Sequence, residues 1–195
     1  MKQIILATNN LHKIEEIHLF LSPLGFKIHS ARDISIPKTV EDQPTLQGNA
    51  LKKARETFQA TGMLSLADDT GLEVYSLDMK PGVYSARYAG ENVSYSENNK
   101  KLLSELFGVP ADKRAARFRT VVAIVGNGIE KTVEGIVEGT ILEALRGEQG
   151  FGYDPLFVPN GYSKTYAEMT IEEKNQLSHR GRALEKAAEF LKTGL

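Results

Sequence analysis

Apolar residues run from Ile4 to Ala7, give way to Thr8-Asn9-Asn10, and then recur as Ile14, Ile17, Leu21 and Leu24 at three- and four-residue intervals. That change of period predicts a buried strand over residues 2–8 and a helix whose N-terminus Asn9 and Asn10 cap. Residues 26–30 predict a second strand, the polar stretch 36–44 a connection, and residues 46–61 a long helix that Gly62 ends. From Leu64 to Leu77 the apolar run is broken by Asp68-Asp69-Thr70-Gly71, a composition that predicts a tight turn between two strand segments.

A loop rich in Gly, Tyr and Ser follows at residues 81–90. The pair Ser94 and Glu97 then reads as a capping box opening a helix that buries Leu102, Leu103 and Leu106 and stops at Gly108, with Pro110 beyond. Residues 117–125 and 129–141 are β-branched and alternating, and the Gly126-Asn127-Gly128 between them predicts a hairpin. A Gly-rich loop at 146–152, a short strand near 156–158, a helix capped by Thr170 with Glu173, and a last helix from about Ser178 to Lys192 complete the chain. The predicted class is α/β: a mixed β-sheet with flanking helices, in a single domain over residues 1–195 that is pinched into two lobes.

Composition narrows the function. The chain has 24 Lys+Arg against 25 Asp+Glu, so no bulk positive field draws it to nucleic acid or to an anionic membrane. Cysteine is absent, which removes thiolate nucleophiles, disulfides, Fe–S clusters and Cys-ligated zinc together. A hard cation bound by oxygen ligands remains open. The Ile4–Ala7 run is far shorter than a signal-peptide core, and no stretch nears the roughly 18 apolar residues of a spanning helix. A cytoplasmic protein is expected.

Four places could carry chemistry. Thr8 to Lys13 (Thr8, Asn9, Asn10, Leu11, His12, Lys13) joins a strand end to a helix N-terminus, where free N–H groups, the helix dipole and Lys13 favour a phosphate. A plain cap with a solvated lysine gives the same string. Asp68-Asp69-Thr70-Gly71 sets two carboxylates side by side, able to hold Mg²⁺ while substrate phosphates complete its shell, or to deprotonate a water; an Asp-rich surface turn is the plainer alternative. Glu41-Asp42 offers another ligand, or simply helix N-terminal charge. In the C-terminal third, Phe151 stands between two glycines beside Tyr153 and Asp154, with Lys174, His179 and Arg180 further on. A flat aromatic face with in-plane donors and acceptors suits a purine, although a core aromatic and a helix-cap histidine would look alike. His12, His18 and His29 lack metal-ligand spacing.

Six motifs occur in order: Thr8-x-Asn10-x-x-Lys13, Asn49-Ala50-x-x-Lys53-Ala54, Ala67-Asp68-Asp69-Thr70-Gly71-Leu72, Pro81-Gly82-x-x-Ser85-Ala86-Arg87, Gly150-Phe151-Gly152-Tyr153-Asp154-Pro155 and Ser178-His179-Arg180-Gly181. Together they make the chain resemble the RdgB-like dITP/XTP pyrophosphatases, the inosine triphosphatase family, from residue 4 to about 190. The resemblance implies an elongated mixed sheet whose two lobes flank a nucleotide cleft, in an enzyme that is usually a homodimer. It also implies Mg²⁺-dependent hydrolysis of ITP, dITP and XTP to the monophosphate and pyrophosphate.

By position, Asp69 is implied as general base and metal ligand, Glu41 as a second ligand and Asp68 as a supporting carboxylate in the metal set. Thr8 to Lys13, Lys53 and Thr70 would touch the triphosphate; Phe151, Gly152, Tyr153, Asp154, Lys174, His179 and Arg180 would hold sugar and base. Two departures stand out. Gly48 replaces the carboxylate the family often carries before Asn49, and Asn9 replaces a common glycine. Two other readings share parts of this pattern: a Maf-like pyrophosphatase of modified pyrimidine nucleotides, and a nucleotide-binding regulator without turnover.

Overall fold

A computed structural model describes residues 2–34 and 36–193. It contains a seven-stranded sheet in the order β2-β1-β3-β5-β6-β7, with β4 paired to β3. The strands are β1 (Gln3–Leu6), β2 (Lys27–Ser30), β3 (Leu64–Val74), β4 (Lys80–Pro81), β5 (Ala115–Gly126), β6 (Ile129–Ile141) and β7 (Phe157–Pro159). The helices are α1 (Leu11–Leu21), α2 (Leu46–Thr61), α3 (Tyr95–Glu105), α4 (Ile171–Leu177) and α5 (His179–Thr193). β1 pairs in parallel with β2 and with β3, whereas β4 on β3 and β7 on β6 are antiparallel. The sheet is mixed, as the sequence predicts, and no helix among the described residues is long and apolar enough to cross a membrane.

The chain divides into two compact units. The first takes residues up to Asp69, Thr120–Gly135, and the chain from Arg180 onward. Ile4, Ile5 and Leu6 are completely buried, which a central parallel strand covered on both faces requires. Ile17 and Leu21 of α1 join Ile4, Leu66, Val122 and Leu184 in one core. α1 ends at Leu21 because Pro23 enters a short 3₁₀ turn that Gly25 closes at φ 74°. Leu24, predicted on the helix, therefore sits in that turn.

The second unit holds Thr70–Arg119 and Ile136–His179. Its core gathers Leu72, Leu102, Phe118, Phe157 and Tyr166, with the Phe118 and Phe157 rings edge-on at 4.8 Å. The capping box on α3 is formed as the sequence predicts, with Ser94 accepting from the Glu97 N–H and Glu97 from the Ser94 N–H.

The Asp68–Gly71 turn is corrected: β3 runs through it without a break for 11 residues. Local composition is overridden here because both aspartates, 2% and 7% exposed, meet positive side chains from distant parts of the chain. Gly71 serves a steric purpose: a Cβ at that position would lie 2.5 Å from the Gly82 carbonyl oxygen, a backbone atom that cannot swing away. Gly71→Ala should therefore cost about 1–3 kcal/mol in thermal or urea unfolding. A loss below half a kcal/mol would show that the 82–85 turn yields freely.

Candidate active site

In the first unit, β1 delivers the chain to α1 through Thr8–Asn10. Thr8 Oγ1 accepts from the Asn10 N–H at 3.2 Å, and Asn10 Oδ1 accepts from the N–H groups of His12 and Lys13 at 3.0 and 3.4 Å. Two of the N–H groups expected to face a phosphate are thus held by the cap, leaving Lys13 as the main positive group of the segment. Asn9 keeps an ordinary backbone: among the described residues, the non-glycine residues at positive φ are Asp78, Met79 and Asn92. Nothing at that position demands glycine.

The side chains of this unit converge on the aspartate pair. Lys13 Nζ and Arg180 Nε both approach Asp68 Oδ2, at 3.0 and 3.1 Å, and Arg180 also grips the buried Glu16. Lys53 Nζ stands between Glu41 Oε1 at 2.6 Å and Asp69 Oδ1 at 3.0 Å. Asn49 Nδ2 donates to Asp69 Oδ2 at 3.2 Å, and Asn49 Oδ1 accepts from the Gln43 N–H at 3.0 Å. One asparagine therefore ties the Glu41–Gln43 segment to the strand carrying Asp69. Gly48 makes that approach possible, since a Cβ there would sit 2.8 Å from Gln43 Cβ. An acidic residue at 48 does not fit this backbone unless Gln43 moves.

The adjacent carboxylates are shifted in opposite directions. Burial pushes Asp68 up, but Lys13 and Arg180 outweigh it and hold the carboxyl far below its ordinary value. Burial also pushes Asp69 up; Lys53 pulls against it and Glu41 adds to it, so Asp69 ends raised. Burial lowers Lys13 despite Asp68, whereas Asp69 and Glu41 overcome burial at Lys53 and raise it. In these ion pairs the carboxylates of Glu16, Glu41, Asp68 and Asp69 meet the cations of Lys13, Lys53 and Arg180.

The donors suit a hard divalent cation. Glu41 and Asp69 both reach a single positive atom, so their oxygens already converge on one point. Among the described residues no three His, Cys, Asp or Glu side chains gather into a closed metal cage. Mg²⁺ commonly takes one or two carboxylates and completes its shell with water and phosphate, which fits this pair. Asp68, expected among the metal-facing carboxylates, is committed here to Lys13 and Arg180.

The second unit builds a different group. Gly150 and Gly152 adopt positive φ, 72° and 65°, on either side of Phe151, and the Phe151 N–H donates to Asp154 Oδ2 at 2.9 Å. Lys174, 3% exposed, donates to the same oxygen at 2.7 Å, and its Nζ lies 4.8 Å from the Phe151 ring centre. His179 is 2% exposed with its ring stacked on Phe118 at 4.5 Å.

A sequence profile of the Ham1 family matches residues 4–190. The chain belongs to the Ham1 family. It is 51% identical over 191 residues to a protein of Desulforamulus reducens named dITP/XTP pyrophosphatase, covering 97% of this chain and 95% of that one. A Bacillus subtilis protein of the same name is 45% identical, with 98% of each chain covered. The solved HAM1 protein of Coxiella burnetii superposes with TM-score 0.90 at 38% identity, over 98% of this chain and 99% of that one. The Staphylococcus aureus Ham1 structure gives 0.89 at 36%, covering both chains completely.

Against this Ham1 fold the expected site residues sort clearly. Lys13, Lys53, Glu41, Asp68 and Asp69 come together in the first unit, and Phe151, Asp154 and Lys174 in the second. Thr70 lies within β3, while Leu11 and His12 are exposed at the start of α1. Arg180, expected at the base, makes ion pairs with Glu16 and Asp68. Tyr153 turns its ring into the core, 4% exposed, and donates its hydroxyl to the Ser85 carbonyl at 2.9 Å. Glu16 escaped the sequence reading. Its position three residues after Lys13, beside the core residue Ile17, was the available signal.

Proposed function

We propose that this Ham1-family protein hydrolyses non-standard purine nucleoside triphosphates (dITP, ITP and XTP) to the monophosphate and pyrophosphate with Mg²⁺, as a cytoplasmic homodimer that keeps these nucleotides out of the precursor pool. The observation that carries it is the single ammonium of Lys53 shared by Glu41 and Asp69, beside the Lys13–Asp68 pair. Names of full-length relatives, dITP/XTP pyrophosphatase, support the same reading.

Glu41 and Asp69 would hold Mg²⁺, which when bound offsets charge on the phosphate oxygens and on the departing pyrophosphate. Lys13 and Lys53 meet the triphosphate, which brings about four negative charges. Asp69 orients a water and takes its proton as the water oxygen attacks the α-phosphorus. The bond to the bridging oxygen breaks, and pyrophosphate leaves with the electron pair. Phe151 offers its face to the purine; the donors of Lys174 and His179 favour a 6-oxo group. Adenine would set its amino group against donors, leaving each such buried group unpaired at about 1–3 kcal/mol.

A substrate panel tests this. ITP, dITP and XTP should release pyrophosphate, and EDTA should abolish the release. ATP should fall behind by about 10²-fold or more in kcat/KM. Orthophosphate as the product, or ATP as the best substrate, refutes the proposal.

A further inference from the structure

The loop that presents Phe151 has little stiffness of its own, because the glycines on both sides leave the backbone free to take several conformations. Its fixings come from outside. One is Asp154 with Lys174, already described; another is on α3, where Asn99 Nδ2 donates to the Gly152 carbonyl at 3.0 Å. Tyr95 lies four residues earlier and therefore on the same helix face, with its ring centre 6.0 Å from that of Phe151. α3 is a firm support: its capping box is complete, and Asn98 is fixed to the preceding segment by accepting from the Ala89 N–H at 2.8 Å and donating to the Ala86 carbonyl at 3.1 Å.

Asn99 is a poor choice for folding alone. It is 4% exposed, and its Oδ1 is buried without a hydrogen bond. A leucine of similar size would avoid that orphaned acceptor, so the amide is retained at a cost to stability. Its contact with Gly152 is what it provides in return.

We propose that Asn99 and Tyr95 are positioning residues for the Phe151 loop, and that helix α3 thereby sets how tightly the purine end of the substrate is held. The inference rests on the proposed function and goes beyond it, since neither side chain is among the groups assigned to substrate. Asn99→Asp keeps the shape but removes the N–H donor and sets a carboxylate oxygen against the Gly152 carbonyl. KM for ITP should rise about five- to tenfold, the equivalent of one lost hydrogen bond, while kcat stays within about twofold. Tyr95→Ala, at a position 44% exposed, should raise KM in the same direction by about threefold with the fold intact.

A purely structural role predicts a lower melting temperature with unchanged KM in the active fraction. If Asn99→Asp does not fold, Tyr95→Ala alone decides. Unchanged KM in the variants that fold, beside a wild type that turns over ITP, overturns the inference alone. A wild type without ITP turnover removes the proposed function and this inference with it.

Discussion

Asp69→Asn should lower kcat for ITP by about 10²–10⁴-fold while the nucleotide still binds, the range lost with a positioned general base. The amide preserves the size of the side chain and can still accept from Asn49 or Lys53, which now lie 3.2 and 3.0 Å from the two carboxylate oxygens. What it cannot do is take a proton from water. Hydrolysis by the wild type in ¹⁸O-labelled water gives an independent check, because attack at the α-phosphorus places the label in the monophosphate. Label in pyrophosphate refutes attack at the α-phosphorus, and a variant with near-normal kcat removes Asp69 from the role of base. Removing Lys53 instead would unbalance Glu41 and Asp69 together, so Asp69→Asn is the cleaner substitution.

Features set by neighbours in sequence were legible. The Asn127-Gly128 turn fixes the β5–β6 hairpin, and the Ser94 and Thr170 capping boxes open α3 and α4 where their spacing says they should. What was not legible shares one cause, partners that are remote in sequence. Asp68-Asp69 reads as a turn because two adjacent carboxylates in a strand look costly; their cations come from Lys13, Lys53 and, 112 residues away, Arg180. Arg180 looks like a base-reading arginine because it follows His179 in a familiar string. A buried carboxylate on α1, Glu16, also holds it, and only that residue's place beside Ile17 hints at its burial in the sequence. The likeness of motifs located the site, whereas the division of labour within it depended on charge pairing in three dimensions.

That pairing gives Arg180→Met a large expected effect on stability. The arginine is 1% exposed, and its loss removes the guanidinium that pairs with buried Glu16 and with Asp68. Breaking a buried pair by removing one member costs about 3–5 kcal/mol, since the remaining charge stays desolvated. For a chain of this size that corresponds to a fall of roughly 6–20 °C in Tm. Adding Glu16→Gln removes the buried carboxylate charge and should restore a substantial part of the loss, a recovery that a double-mutant cycle measures. If Arg180 instead reads the purine, Arg180→Met would leave Tm in place and raise KM for ITP, and Glu16→Gln would rescue nothing. Calorimetry on the two single variants and the double separates the outcomes, because charge pairing and base recognition predict opposite answers for both Tm and rescue.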